Sequence, residues 1–168
     1  MAFLSLLLIA VLVAVDQLTK YVVVSNMELG EHIEVIPGLL DWCYIHNSGA
    51  AFGLLQNQRW IFLVITGLVA VVAIGFLFYK KCDNWMLRTI IILLVGGGVG
   101  NMIDRIALGY VVDFISLSFF PPIFNFADIC VCVGAALMVV YIIWGDKWFA
   151  RPATEETKQE NEIEPSDQ

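Results

Sequence analysis

Four long runs of apolar positions divide the chain. Crossing a bilayer takes about 20 mostly apolar residues, and the runs at about residues 3–24, 60–79, 85–103 and 123–144 all qualify. The first is apolar or small as far as Val15, then carries Asp16, Gln17, Thr19 and Lys20. The second has no charge. The third has Arg88 near its start and gathers Gly96, Gly97, Gly98 and Gly100 near its end, and the fourth carries Asp128. No basic flank precedes the first run and no small-x-small cleavage site follows it, so it reads as a retained helix and not a signal peptide. In the connection at 25–59, His32 to Pro37 and Leu40 to Ile45 alternate with the period of short strands. The connection at 106–122 is short and closes on Pro121-Pro122. The pattern predicts an all-α integral membrane protein of four helices.

Composition agrees. Of 168 residues, 60% are apolar and only 15% charged, against about 25% charged in a soluble domain. The net charge of −7 divides unevenly: residues 151–168 hold two basic and six acidic residues, a net of −4, which leaves −3 for the rest. The chain therefore reads as a membrane unit over 1–150 and a disordered acidic tail over 151–168. No basic footprint suits nucleic acid. Lys80, Lys81, Arg88, Lys147 and Arg151 flank one side of the membrane, and Lys20, Arg59 and Arg105 the other. That bias places both termini in the cytoplasm. Cys43, Cys82, Cys130 and Cys132 form no CxxC and imply no disulfide framework; they read as small buried thiols.

Ionisable groups cost too much in a bilayer to be there idly, so they carry the chemical information. Asp16 and Lys20 are four apart and share a helix face; they read either as a self-neutralising pair or as one side of a polar site. His46-Asn47-Ser48-Gly49-Ala50-Ala51-Phe52-Gly53 reads as a turn between strands or as an edge offered to an extended peptide. No third group is in view to make His46 and Ser48 a nucleophile–base pair. Gly97, Asn101 and Arg105 form one helical stripe, with Gly96 and Gly100 suited to close packing. Packing explains the glycines but not Asn101, Asp104 and Arg105. Asp113 stands alone in Val111-Val112-Asp113-Phe114, where the default is a turn or cap residue. Asn125 suits a helix cap. Asp128, expected a turn inside the helix, has the weakest structural excuse of any acid in the chain.

Two carboxylates held close in poorly hydrated surroundings share one proton, and their titrations separate. One residue type then supplies both an acid and a base, enough for water to attack a peptide carbonyl without a metal or cofactor. HExxH and GxSxG are absent, and His32 and His46 are the only histidines, so zinc and serine chemistries lack support. Sequence spacing alone does not bring Asp113 to Asp128. A small transporter or proton relay using Asp16, Lys20, Asp104, Arg105 and Asp128, or an adaptor held by glycine packing, stays open at this point.

The motifs narrow the choice. Asp16-Gln17-Leu18-Thr19-Lys20 resembles a D-Q-x-x-K pattern, Asn47-Ser48-Gly49-Ala50-Ala51-Phe52 an N-x-G-x-A-F, and Asn101-Met102-Ile103-Asp104-Arg105 an N-x-x-D-R. Val111-Val112-Asp113-Phe114 resembles a V-x-D-F, and Phe124-Asn125-Phe126-Ala127-Asp128 an F-N-x-A-D. In this order on four spans, over about residues 1–148, they resemble the lipoprotein signal peptidase (signal peptidase II) family. The resemblance implies a bacterial membrane aspartic endopeptidase, active without a cofactor and as a monomer. Its substrates would be diacylglyceryl-modified prolipoproteins met in membrane lipid and cut before the lipidated cysteine. It puts the catalytic pair on Asp113 and Asp128. Asp16, Lys20, Asn47, Gly49, Asn101, Asp104, Arg105 and Asn125 fall on supporting and substrate-contacting positions. It also implies a multi-pass protein of the bacterial inner membrane with its site near the outer surface. An outer β-cradle and a short periplasmic helix are expected within 28–58 and 106–122. Ile129 departs from the Ser or Thr that many members carry after the second aspartate.

Overall fold

The computed structural model describes residues 2–49, 58–79 and 84–148. Four helices carry the chain: α1 (Ala2–Asn26), α2 (Arg59–Phe78), α3 (Trp85–Ala107) and α4 (Phe126–Trp148). Each is long and apolar enough to cross a membrane. Four strands lie between them: β1 (His32–Ile36), β2 (Leu40–Asn47), β3 (Val111–Leu117) and β4 (Phe120–Phe124). They form one antiparallel sheet in the order β1-β2-β3-β4.

α3 is the hub. It packs on α1, α2 and α4, and 39% of its apolar window is buried, against 11–17% for the other three. The outer faces of those helices show Phe3, Val71 and Ile142 almost bare, as suits side chains solvated by lipid. Close approach to α3 depends on glycine. A methyl added at Gly96 would press on Leu12 of α1, and one at Gly100 would fall 2.6 Å from the Asp16 carboxylate. Gly97 lies against the Ala127 carbonyl and Cys130 of α4. One apolar core (Ile9, Ala70, Leu77, Ile91, Val95) ties α1, α2 and α3 together. A second (Val23, Tyr44, Val112, Phe114) seats the sheet on the end of α1.

Local chemistry sets the element ends. The Asn84 side chain caps α3 by accepting from the Met86 and Leu87 N–H groups at 2.9 and 3.3 Å. After α3, Gly109 takes φ +88°, a backbone turn that favours glycine. The chain can therefore reverse at once into β3.

Several expectations need correction. The molecule is not all-α, because the sheet is integral to it. Residues 106–122 hold the end of α3, all of β3 and the start of β4; the rest of the stretch in which a short helix is expected, residues 50–57, lies outside the described residues. α3 runs on past Ile103 to Ala107, so the helical stripe of Gly97, Asn101 and Arg105 lies wholly within it. α4 starts at Phe126, since Ile123 and Phe124 belong to β4. Asp113 lies within a buried strand and is not a turn residue. Pro121 and Pro122 sit inside β4, an edge strand, where a missing N–H is tolerated. Cys43 and Cys130 are buried free thiols, but Cys132 is exposed. Ala50–Phe52, Lys80, Lys81, Cys82 and the tail lie outside the described residues.

Gly100→Ala is expected to destabilise the detergent-purified protein by about 1–3 kcal/mol through overpacking. Gly75→Ala, where an added methyl meets nothing within 4 Å, is expected to be neutral or stabilising. Thermal unfolding of the two variants checks this; equal melting temperatures would contradict the packing argument.

Candidate active site

The polar residues singled out in the sequence meet where α1, α3 and α4 reach the sheet. At the centre is the Lys20 ammonium. It lies 2.8 Å from Asp16 Oδ2 and 3.0 Å from Asp104 Oδ2 and donates to Asn101 Oδ1 at 2.9 Å. Lys20, Asp16 and Asp104 are all nearly inaccessible. Burial of such charges is tolerable only with close pairing and with the remaining lone pairs satisfied. Both acids meet that condition. Asp16 Oδ1 accepts from the Ala127 N–H at 3.0 Å, and Asp104 Oδ2 accepts from the Val112 N–H at 3.1 Å. One ion cluster thus fastens α1 to α3, to the start of α4 and to β3.

This cluster orients the amides above it. Because Asn101 Oδ1 takes the Lys20 proton, and also an Asn125 Nδ2 contact at 3.0 Å, its Nδ2 must face the other way. There it donates to Asp128 Oδ1 at 2.8 Å. Asn125 is oriented similarly. Its Oδ1 accepts from the Asp128 N–H at 3.0 Å, while Asp128 Oδ2 accepts from the Asn125 N–H at 3.1 Å. That reciprocal pair is a capping box for α4, and it gives Asp128 a structural role as well. The Asn125 Nδ2 then donates to Asp113 Oδ1 at 2.6 Å. The other oxygen, Asp113 Oδ2, accepts from Asn47 Nδ2 at 2.8 Å.

Asp113 and Asp128 are thereby held by three asparagines within electrostatic reach of each other. Asp113 is 1% exposed and Asp128 half-buried. Burial pushes the Asp113 carboxyl up, and the Asp128 charge adds to it, to about 7; the Asn47 and Asn125 bonds and the Lys20 charge oppose the rise. Asp128 opens onto an apolar cleft of about 400 Å³ walled by Leu117, Phe120, Phe124, Ile129 and Val133.

Arg105 stands beside the pair. Its guanidinium lies 4.5 Å from the centre of the Phe62 ring and donates to the Gly49 carbonyl at 3.0 Å. Asn47 Oδ1 accepts from the Gly49 N–H at 2.9 Å, so Asn47, Gly49 and Arg105 form one corner. Lys20 and Arg105, counted above as cations on one side of the membrane, are engaged within this site. His46 is turned to Tyr44 and Tyr110, and Ser48 is exposed. Among the described residues no group of three or more His, Cys, Asp or Glu could hold a metal ion.

Against known proteins, the family model described as "Signal peptidase (SPase) II" matches residues 8–144. The chain belongs to the signal peptidase II family. Among the similar curated proteins is the lipoprotein signal peptidase of Symbiobacterium thermophilum, 44% identical over 143 residues, covering 83% of this chain and 94% of that one. The lipoprotein signal peptidase of Lactiplantibacillus plantarum is 37% identical over 144 residues, covering 85% and 96%. A bacterial membrane enzyme solved by the in meso method at 2.3 Å resolution superposes with a TM-score of 0.79 at 33% identity, covering 89% of this chain and 93% of that one. With four apolar spans, the chain is a multi-pass membrane protein of the signal peptidase II family.

All ten residues singled out from the sequence enter this network. Sequence reasoning passed over Gln17, whose Nε2 lies 2.8 Å from Asp104 Oδ1 and 3.2 Å from both Asp16 Oδ2 and the Gly100 carbonyl. An amide in an apolar span beside Asp16 was a usable signal. Phe62, beneath Arg105, had none, being one apolar residue among many.

Lys20→Met removes the one cation that, among the described residues, contacts Asp16 and Asp104. It is expected to cost about 3–5 kcal/mol, as breaking a buried pair does. Denaturant unfolding in detergent measures it; a loss within about 1 kcal/mol, the size of a surface pair, would show that the cluster is dispensable.

Proposed function

We propose that the chain is an aspartic endopeptidase that removes signal peptides from diacylglyceryl-modified bacterial prolipoproteins. It cuts just before the lipidated cysteine, and Asp113 and Asp128 are its catalytic pair. The observation that carries this reading is the pair itself: two carboxylates from different elements, bridged by Asn101 and Asn125, one buried and one facing a cleft. The relatives named lipoprotein signal peptidase support the substrate class.

The chemistry follows from one shared proton. The ionised member takes a proton from water as its oxygen attacks the scissile carbonyl carbon. The protonated member gives its proton to the carbonyl oxygen. The tetrahedral diol then collapses, the C–N bond breaks, and the amine leaves with a proton returned from the pair. Asn47, Asn101 and Asn125 hold both carboxylates in place and need not move. Gly49, held by Arg105 and Asn47, is a supporting corner of the site, and the free edges of the sheet offer backbone groups to an extended peptide. A lipidated cysteine remains anchored in the bilayer. The apolar cleft beside Asp128 suits the part of the substrate that must stay out of water.

The peptidase unit is residues 1–150, in the bacterial cytoplasmic membrane as a monomer. Both termini are cytoplasmic, and the site lies near the outer surface.

Incubation of purified protein with a prolipoprotein, with and without diacylglyceryl, tests the reading. Cleavage is expected of the lipidated form only. Asp113→Asn and Asp128→Asn each are expected to lose at least about 1,000-fold in rate, as removal of an acid–base partner does, while still inserting; near-normal processing by either would overturn the pair. Activity requires one proton on the pair. The Asp113 carboxyl keeps its proton until about pH 7, so the rate should fall as pH rises through that value. A flat profile to about pH 9, two units beyond the expected loss, would contradict the mechanism.

A further inference from the structure

Asn47 is the last residue of β2, and strand ends fray unless something ties them down. Its Nδ2 bond to Asp113 Oδ2 is one of two side-chain amide bonds that hold this carboxylate among the described residues. Holding the end of β2 in place is therefore a condition of the site. The ladder there pairs Ile45 with Asp113, His46 with Val112 and Asn47 with Val111. Successive strand side chains point to opposite faces. Asn47, Ile45 and Asp113 accordingly share one face, while Tyr44, His46 and Val112 share the other.

On that other face three rings interlock. The Tyr44 hydroxyl lies 2.8 Å from His46 Nε2. The His46 ring stacks on Tyr110, with centroids 3.7 Å apart and planes at 17°. Tyr44 is buried in the core that seats the sheet on α1, so it is a fixed anchor. Tyr110 follows Gly109 in the turn from α3 to β3. His46 is exposed, yet it links the two. A hydroxyl both donates and accepts, so the contact forms whichever tautomer the ring adopts. The three rings are absent from the hydrogen-bond partners of Asp113 and Asp128 among the described residues.

We infer that Tyr44, His46 and Tyr110 form a positioning clamp, with His46 as its link: from the face of the sheet opposite the carboxylates, it fixes the end of β2 so that the Asn47 amide meets Asp113. The inference rests on the peptidase reading for its kinetic consequences, but its geometric content is independent. Asp113 is faced by Asp128 of α4, Lys20 of α1 and Arg105 of α3. Among the described residues Asp128 and Lys20 make no hydrogen bond or ion pair with β2, whereas Arg105 meets the Gly49 carbonyl just beyond its end. Loosening β2 therefore changes the Asn47 bond first and leaves the two groups on α1 and α4 in place.

His46→Ala should lower kcat by about 2- to 12-fold, the range spanned by one net hydrogen bond, with KM unchanged. Because the Asn47 bond favours the ionised Asp113, the alkaline fall in rate should move to higher pH. Asn47→Ala should do the same, and adding His46→Ala to it should change nothing further, since both act through one bond. His46→Phe keeps the stacked ring and should recover most of the rate. Additive losses, or an unmoved alkaline limb in His46→Ala, would overturn the clamp. The side-chain amide signal of Asn47, in ¹⁵N–¹H spectra of the purified protein, reads the same geometry without substrate. It should shift and broaden in His46→Ala and return in His46→Phe. An unchanged amide signal refutes the clamp, whereas wild-type protein that cleaves nothing refutes only the peptidase reading.

Discussion

Everything at this site depends on one buried ammonium. Lys20 faces two carboxylates and an amide oxygen at 2.8–3.0 Å, and that settles the direction of the amide. An asparagine side chain is nearly symmetric in shape but opposite in chemistry at its two ends. With its oxygen committed to Lys20, Asn101 has only donors left for Asp128. With its own oxygen committed to the Asp128 N–H, Asn125 has only donors left for Asp113. A charge cluster thus fixes the polarity of two amides, and the amides fix two acids. The glycines of α3 are part of the same device, because Gly100 leaves room for Asp16 and so lets the cluster close.

This arrangement separates two kinds of buried charge. Asp16 and Asp104 share the Lys20 ammonium and take further donors from Ala127, Val112 and Gln17, so their role is cohesion. Among the described residues Asp113 has asparagine amides and no ion partner in contact, and burial together with Asp128 raises its proton affinity. Within one layer of the molecule, then, two carboxylates meet an ammonium directly, and one that does not is pushed toward its neutral form. That contrast is what acid–base chemistry needs.

Much of this was legible in the sequence. The four spans follow from apolar run length, and β1 and β2 from their alternation. The site residues stood out because a chain with so few charges near the bilayer places almost none there idly. What was not legible depends on meetings across the chain. Asp113 and Asp128 come together because β4 and the capping box return the chain over Asp113, and no local pattern encodes that return. The strands at 111–124 are too apolar and too proline-rich to display a period of two. The end of α3 at Ala107 was not legible either, because the helix continues past its apolar run, supported by packing instead of hydropathy. Gln17 was overshadowed by the charges beside it.

The central claim is that the two carboxylates behave as one titrating unit. Site-resolved ¹³C titration of Asp113 in the purified protein, alone and in the Asp128→Asn background, tests it most directly. The account predicts a midpoint near about 7 that moves downward when the Asp128 charge is removed. A midpoint near about 4, where ordinary aspartates titrate, and indifferent to Asp128, would contradict it.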